Sequence, residues 1–314
     1  MGQNKLSKKR RRIRLINLLI MALIFYFSII VVAKSVSAVE CGSIPTDGCD
    51  VTQDTTFNTG TYYLSNGLNV KADGITLDCN SSTLVGLGSN SGITNTKYDN
   101  TVITNCIVKN YTNGIRLLNV YSGGCGPFYA HDSSNYNTIK NTILTNNSIG
   151  LLSLGEPNCD LYNIYNKLVN SSVKYNEEGV KLIYSKFTNI SQNVLKNNFN
   201  NGINITSDSN GNSIFNNDFV DNNASDSGIN NNWNTSGQGN YWSNYDTEAE
   251  GCYDSDSNLI CDTPYNISGS AGSKDYLPLL GLQILDIIPI QVVKDVDMVK
   301  GKTTLVRSII KNSG

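Results

Sequence analysis

The sequence has little charge. Only 16% of its 314 residues are Asp, Glu, Lys or Arg, and the formal net charge is −2. A chain without a basic excess has no electrostatic field that recruits nucleic acid, so no nucleic-acid partner is expected. It also has a single histidine, His131, whereas copper and zinc sites usually need several His or Cys ligands. No C-x-x-C pair occurs, so neither a zinc ribbon nor a thioredoxin-type motif is indicated.

Residues 1–38 have the composition of a targeting segment. Lys and Arg are concentrated between Lys8 and Arg14, and the stretch from Leu15 to Ala33 carries no charge. The small residues before Val39 suit signal peptidase, which favours cleavage after Ala38. An uncleaved signal anchor is the alternative, because the apolar run is long enough to span a bilayer. Both alternatives put the rest of the chain outside the cytoplasm, secreted or anchored at the cell surface, with membrane contact only through this segment.

An internal repeat runs through the middle of the chain. Its pattern is N-x-I-x-N-x-x-φ-x-N-N-x-G-I-x-φ, where φ is apolar, and clear copies are Asn137–Leu152 and Asn189–Ile205. The shorter repeats have the length of one solenoid coil, and the longer ones carry insertions. The Gly-apolar steps, which are spaced between 22 and 36 residues, are Gly92, Gly114, Gly150, Gly179, Gly202 and Gly228.

The repeat favours a β-coil over a helical repeat. Its apolar residues are mostly β-branched and occur in short runs, as in Val102-Ile103 and Ile107-Val108, whereas Asn and Gly are poor helix formers. Three short strands per coil, with turns at Asn and Gly, account for the repeat length, since Asn tolerates a left-handed backbone. Stacked coils would align equivalent Asn side chains into hydrogen-bonded ladders. The sequence therefore predicts an all-β protein built on a parallel β-helix at residues 39–240.

The coil at Asp73–Leu84 and the repeat resemble the NosD-like, or CASH, group of right-handed parallel β-helices with a pectin-lyase-like fold. This coil is similar to the family's opening coil, GITLDCNGHTI, with Ser81-Ser82 in place of Gly-His. The resemblance extends over residues 40–281. It implies the fold and leaves the activity open, because such folds host many functions.

Eight cysteines follow the apolar run, and an even number in an exported chain indicates disulfides. We predict Cys41–Cys49 closing the N-terminal segment and Cys79–Cys106 linking adjacent coils. Cys125 lies in an insertion at Asn119–Tyr136 and Cys159 in a second insertion. Both interrupt a coil after its Gly-apolar step, so we expect the insertions on one side and a Cys125–Cys159 bond. The remaining pair is Cys252 and Cys261.

Residues 241–281 resemble the segment that closes many NosD-like helices. Tyr241, Trp242 and Tyr245 are predicted to cover the open edge of the last coil, and a sugar-stacking platform is the alternative. The segment also holds oxygen ligands at alternate positions, which suits a Ca²⁺ loop. Cys252 and Cys261 flank this loop, so a disulfide closing it without metal is the competing prediction. The candidate Ca²⁺ ligands are Asp254, Asp256, Asn258, the carbonyl of Ile260, and Asp262.

The last segment, residues 282–314, differs in composition. Lys and Asp return, Asn nearly vanishes, and residues alternate as in strands. It resembles the first strands of an immunoglobulin-like, CARDB-type domain. Since two strands cannot form a sandwich, the sequence predicts a truncated domain, with a natural C-terminal hairpin as the alternative.

No catalytic constellation stands out. Arg116 is the only arginine between Ala38 and Lys300, whereas lyases of the resembled fold use an Asp cluster with an Arg or Lys base. Glycosidases need two neighbouring carboxylates, and an unrecognised pair would come from Asp208, Asp218, Asp221 and Asp226.

The leading prediction is a non-catalytic cell-surface protein, an adhesion or envelope scaffold or a carbohydrate-binding module. Its expected partners are cell-envelope polysaccharide or surface proteins. The alternatives are an extracellular polysaccharide lyase or hydrolase and a NosD-type periplasmic metal-maturation factor.

Overall fold

A computed structural model describes residues 39–121, 131–132 and 134–281. Within these ranges, no helix has the length and apolar character needed to cross a bilayer. Single-turn 3₁₀ helices lie at Pro157–Cys159 and Glu248–Glu250. The strands, numbered in chain order, are β1 (Asp50–Val51), β2 (Thr55–Thr56), β3 (Thr61–Tyr63), β4 (Leu68–Val70), β5 (Thr76–Asp78), β6 (Thr83–Val85), β7 (Ser91–Thr96), β8 (Val102–Thr104), β9 (Ile107–Lys109), β10 (Asn113–Leu118), β11 (Val120–Tyr121), β12 (His131–Asp132), β13 (Thr138–Lys140), β14 (Ile143–Thr145), β15 (Ile149–Leu154), β16 (Asn163–Ile164), β17 (Lys167–Val169), β18 (Ser172–Lys174), β19 (Glu178–Ile183), β20 (Ser185–Lys186), β21 (Asn189–Ser191), β22 (Val194–Lys196), β23 (Asn201–Ile205), β24 (Ser213–Phe215), β25 (Asp218–Val220), β26 (Ala224–Asp226), β27 (Tyr241–Trp242), β28 (Tyr265–Asn266) and β29 (Lys274–Asp275).

Most strands belong to three sheets, and neighbouring strands within each of them are parallel. Sheet A has the order β1-β4-β7-β10-β15-β19-β23-β26, sheet B the order β2-β5-β8-β13-β17-β21-β24, and sheet C the order β3-β6-β9-β14-β18-β22-β25-β27. Each turn of the chain adds one strand to each sheet in rotation. The predicted all-β class and the parallel β-helix with three strands per coil are therefore confirmed.

The core is a set of apolar columns along the helix interior. In sheet A, Ile115 pairs in register with Ile93 below it and Leu151 above it, and all three are at most 3% exposed. Each fully buried side chain of this size contributes about 1.5–3 kcal/mol. Because one coil cannot bury its own apolar face, this stabilisation depends on the stacking of coils.

The repeated Gly has a steric cause. A Cβ added at Gly114 would lie 2.6 Å from the carbonyl oxygen of Gly150, and one added at Gly150 would lie 2.6 Å from the carbonyl oxygen of Gly179. Both distances are shorter than a non-bonded carbon–oxygen contact allows. Any larger residue would push adjacent coils apart, which explains why Gly recurs before the buried apolar residue.

Asn performs two structural tasks. On the turn from sheet B to sheet C, it supplies left-handed backbone at the same place in successive coils, with φ of 55° at Asn105, 53° at Asn141 and 48° at Asn170. Buried Asn side chains also form columns between coils. The Asn217 Oδ1 accepts a 3.0 Å hydrogen bond from the N–H of Asn193, and its Nδ2 donates to the backbone carbonyl of Ile190 in the same neighbouring coil. The predicted ladders are confirmed, with further columns that include Asn137, Asn166, Asn212, Asn231, Asn147, Asn176, Asn198 and Asn222.

The C-terminal end of the helix is closed by stacked rings. Trp242 is fully buried, and its ring lies between Phe219 at 4.0 Å and Tyr265 at 4.1 Å, measured between ring centroids. Strand β27 pairs with β25, so sheet C continues into the predicted closing segment. With both faces covered, Trp242 acts as a cap and offers no surface for stacking a sugar.

The two insertions leave the helix at the same turn, from sheet A to sheet B. The antiparallel pair β11–β12 follows β10, and the 3₁₀ helix at Pro157–Cys159 follows β15. They emerge on one side, as the sequence predicts.

Disulfides join Cys41 to Cys49, Cys79 to Cys106, and Cys252 to Cys261. Cys159 is also disulfide-bonded. Because Cys125 lies outside the described residues, the Cys125–Cys159 pairing stays a prediction. The predicted targeting segment at residues 1–38 and the predicted immunoglobulin-like segment at residues 282–314 lie outside them as well.

Candidate ligand-binding surface

A polar pocket of about 260 Å³ lies where the chain turns from sheet C into sheet A, near the C-terminal end of the helix. Two successive coils supply its walls, through the turns that follow β22 and β25, and the closing segment supplies its rim. We call it the Phe199 pocket. Its lining residues are Asn198, Phe199, Asn200, Asp221, Asn222, Asn223, Ser243, Asn244 and Glu250.

The Phe199 pocket combines an exposed ring with free amides. The Phe199 side chain is 87% exposed, although transfer of such a ring from water is favourable. The side-chain amides of Asn200 and Asn223 make no hydrogen bond within the described part of the chain. Each free amide offers two donors and one acceptor oxygen. The pocket can therefore form hydrogen bonds and an apolar ring contact with one ligand.

Two carboxylates add acceptors to this pocket. Asp221 accepts a hydrogen bond of 3.2 Å from the Asn197 amide. Glu250 accepts from the N–H of Asp246 and from the hydroxyl of Thr247, both at 3.0 Å. These hydrogen bonds hold the pKa of Glu250 below its ordinary value. No Lys or Arg lines the pocket, so its carboxylates are free to accept from hydroxyl donors.

The other carboxylates considered from the sequence have different surroundings. Asp226 is fully buried, and it accepts hydrogen bonds from the indole of Trp233 at 2.9 Å and the hydroxyl of Ser273 at 2.7 Å. Its task is structural. Burial raises the pKa of Asp218, which pairs in register with Tyr241 on sheet C. Asp208 accepts a hydrogen bond from its neighbour Ser207.

A column of aromatic rings occupies the turn from sheet A to sheet B. Tyr136, Tyr165 and Phe187 follow one another in consecutive coils, with centroids 5.1 Å apart at both steps and interplanar angles of 13° and 19°. All three have left-handed backbone, with φ between 55° and 59°. Such a backbone costs about 1–2 kcal/mol for a residue with a Cβ, and each aromatic pair returns about 0.5–1.5 kcal/mol. Because there are three strained residues and only two ring pairs, stacking offsets only part of the strain.

Sequence reasoning missed both aromatic features. Phe199 lies in the run Asn197-Asn198-Phe199-Asn200-Asn201, where its apolar character stands out from its neighbours. Each ring of the column stands three residues before the buried apolar residue of the next strand in sheet B, which is Ile139, Leu168 or Ile190. Alignment of the repeats at that position would have revealed them.

The predicted Ca²⁺ loop is organised by its own hydrogen bonds. The Asp254 carboxylate accepts from the backbone N–H groups of Asn258 and Leu259, both at 3.0 Å. Asp262 accepts from the hydroxyl of Ser255 at 2.6 Å, which is the main cause of its lowered pKa. Across the described ranges, no three His, Cys, Asp or Glu side chains gather in a way that could hold a metal. The Ca²⁺ prediction therefore rests on the sequence pattern, which also includes Asp256 and the carbonyl of Ile260.

The loop also shows the effect of replacing the family's Gly. Leu259 has a φ of 68°, a conformation in which Gly is free of strain and Leu is not. The Cys252–Cys261 disulfide spans the loop across nine residues. This bridge closes the loop covalently, and Ca²⁺ binding stays a prediction.

Two residues singled out from the sequence take no part in these sites. His131 lies in β12, where only its backbone is described, paired with Tyr121. Arg116 lies in the middle of β10, and its buried Nε has no hydrogen-bond partner among the described residues. Neither lines the Phe199 pocket.

Comparison with known proteins identifies the family. No curated protein matches the chain. A family model described as periplasmic copper-binding protein (NosD) matches residues 46–247. The match spans 202 of the 314 residues (247 − 46 + 1), and it falls on the parallel β-helix, with disulfides that suit an oxidising, exported location. The chain belongs to the NosD family.

Proposed function

We propose that this exported protein is a non-catalytic β-helix of the cell envelope that binds polysaccharide in the Phe199 pocket. The observation that carries the proposal is the combination of the exposed Phe199 ring with the unbonded amides of Asn200 and Asn223. A sugar has the complementary chemistry, because a pyranose presents an apolar face of C–H groups and a rim of hydroxyls. The rigid, disulfide-linked solenoid suits a scaffold that holds such a surface in place.

The lining of the pocket favours binding over catalysis. A lyase reaction needs a base near the sugar, and no Lys or Arg lines this pocket. A hydrolase needs an acid and a carboxylate partner, so Asp221 and Glu250 are the pair to examine. The hydrogen bonds that lower the pKa of Glu250 work against a role as the proton donor.

The donor groups of this chain do not fit the copper that the family description names. Copper(II) sites favour imidazole and copper(I) sites favour thiolate or thioether. The chain has one histidine and three methionines, Met1, Met21 and Met298, all three outside residues 39–281. No cysteine in the described ranges is a free thiol. We therefore derive no copper chemistry for it.

The test is a glycan array followed by isothermal titration of the glycans that bind. We expect Phe199→Ala to weaken binding at least tenfold, about 1.4 kcal/mol, because it removes the ring contact. Asn223→Ala should weaken binding less. Tyr63→Ala is the matched control, since Tyr63 is also an exposed aromatic, 76% accessible, but lies on β3 at the other end of sheet C.

A reducing-sugar assay with the same glycans distinguishes the alternatives. If the wild type releases reducing sugar and Asp221→Asn or Glu250→Gln does not, the hydrolase alternative is established. Binding that is unchanged in Phe199→Ala, or no binding to any glycan, would refute the proposal.

A further inference from the structure

The aromatic column ends at a glycine. Backbone hydrogen bonds from Tyr165 to Lys186, from Phe187 to Asn210 and from Gly211 to Ile229 show that Tyr165, Phe187 and Gly211 hold equivalent positions in successive coils. Gly211 has a φ of 68°, so the left-handed turn continues while the ring is missing. The far face of Phe187 is consequently not covered by a fourth ring.

The missing ring leaves a slot of about 330 Å³. Its walls are mostly apolar, formed by the Phe187 ring, the Gly211 backbone and the Ile229 side chain, which is 62% exposed. Phe187 itself is 49% exposed. A flat ring that entered this slot would continue the stack of the column.

The rim of the slot is polar. The Lys186 side chain reaches back to the preceding coil, where its Nζ lies 3.4 Å from the centroid of the Tyr162 ring in a cation–π contact. The Asn210 Oδ1 accepts from the N–H of Ile229, which leaves its Nδ2 as a free donor. The Asn230 amide makes no hydrogen bond within the described part of the chain.

We propose that this slot binds one pyranose ring of a polysaccharide, stacked on the far face of Phe187. An aromatic floor with an amide rim matches the C–H face and the hydroxyl edge of a pyranose. An aromatic peptide side chain would match the floor but would leave the polar rim without partners. The exposure of three strained aromatic residues, where other turns use Asn, is then explained by the platform that they support.

The slot is separate from the Phe199 pocket. Strand β23, Asn201–Ile205, begins directly after the pocket residue Asn200 and leads towards the slot residue Asn210. The two sites therefore lie beyond opposite ends of β23, whose five residues span about 17 Å. A polysaccharide lying across β23 would reach both, which extends the proposed function to a second contact without sharing a residue with the first.

The experiment is saturation-transfer difference NMR and titration with cellohexaose, xylohexaose and chitohexaose. We expect Phe187→Ala to weaken binding at least fivefold and Phe187→Tyr to retain it. Ile229→Trp should also weaken binding, because the added ring fills the slot while the platform stays intact. Tyr136→Ala is the control: it removes the far end of the column, so it should lower the melting temperature and leave binding unchanged.

This design tests the slot and the Phe199 pocket separately. If Phe199→Ala loses hexasaccharide binding while Phe187→Ala and Ile229→Trp bind like the wild type, the slot proposal is wrong and the proposed function stands. If Phe187→Ala loses binding while Phe199→Ala binds like the wild type, the slot proposal is supported and binding in the Phe199 pocket is refuted. Failure of all three hexasaccharides to bind, or displacement of a bound one by a tryptophan-containing peptide, overturns the slot.

Discussion

The buried carboxylate of Asp275 accepts a hydrogen bond of 2.7 Å from the backbone N–H of Asn240. Asn240 is the last amide of a column, since its own Oδ1 accepts from the N–H of Asn217 in the coil below. The same carboxylate also accepts from the indole of Trp242 at 3.1 Å and from the N–H of Leu277 at 3.0 Å. A single acid therefore ends the Asn ladder and fixes the ring that caps the core.

Asp275→Asn is expected to lower the free energy of unfolding at neutral pH by about 1–3 kcal/mol. The amide would turn an N–H₂ group towards the N–H donors of Asn240 or Leu277, which leaves a buried donor unsatisfied. Urea denaturation followed by the fluorescence of the two tryptophans measures the change. Asp208→Asn is the matched control, because within the described ranges Asp208 accepts only from its neighbour Ser207.

The same variant tests a pH dependence. Burial raises the pKa of Asp275, so the folded state holds its proton more tightly than the unfolded state. The resulting contribution to the free energy of unfolding is complete below about pH 4, the pKa of an unfolded Asp. It is lost as pH rises through the higher pKa of the folded state. The wild-type minus Asp275→Asn difference in unfolding free energy should therefore shrink as pH rises above about 4. A difference that grows across this window would contradict the assignment.

Replacement of a ladder amide gives a second prediction. Asn193→Ala removes an Oδ1 that accepts from Ser171 and an Nδ2 that donates to the carbonyl of Leu168. Because both partners are buried, the loss should cost about 1–3 kcal/mol. Asn200→Ala is the control, since the Asn200 amide is exposed and makes no hydrogen bond within the described part of the chain. Equal effects of the two variants would show that the columns do not stabilise the coil.

Most of the fold follows from the repeat. Gly114 and Gly150 mark the place where any Cβ would meet the next coil, and the apolar residue after each Gly points into the core. Asn at the turns has the left-handed backbone that the residue type favours. These features depend on local geometry and on the identity of one residue at a time, so a single sequence is enough to predict them.

The candidate sites depend on alignment between coils. Tyr136, Tyr165 and Phe187 are separated by 29 and 22 residues, because one coil contains an insertion, and only the register of the coils brings them into one column. Phe199 has the same composition around it as buried positions elsewhere in the Asn-rich stretch. Whether its ring points outwards is decided by the turn between sheets C and A, which the sequence pattern does not specify.

Each disulfide should contribute to the free energy of unfolding according to the length of the loop that it closes. Cys79–Cys106 closes a loop of 27 residues and Cys41–Cys49 one of 8. The entropy that each disulfide removes from the unfolded chain predicts a stabilisation of about 3.5 kcal/mol for the longer loop and about 2.5 kcal/mol for the shorter one. Paired Cys→Ala variants, compared by chemical denaturation, test this order. A larger effect of the Cys41/Cys49 pair would show that local packing, and not chain entropy, dominates.

Sheet C carries two lysines in direct register. Lys174 on β18 pairs with Lys196 on β22, and neighbouring strands lie about 4.8 Å apart. Like charges at this distance are destabilising, so Lys196→Glu should raise stability by about 0.2–1 kcal/mol at low salt and by less at high salt. Lys140→Glu serves as the control, because its cross-strand neighbours are Thr104 and Val169. An equal gain in both variants would rule out the register as the cause.

The loop between Cys252 and Cys261 provides the last test. We predict weak Ca²⁺ binding, with a Kd of about 0.1–1 mM as in extracellular modules, because the loop lacks a bidentate Glu at its twelfth position. Binding should raise the melting temperature of the wild type and not of Asp256→Ala, which removes a ligand oxygen. Mg²⁺ at the same concentration is the ion control, since it rarely gives up enough water to fill such a loop. If neither ion shifts the melting temperature while Cys252/Cys261→Ser lowers it, the disulfide closes the loop without metal.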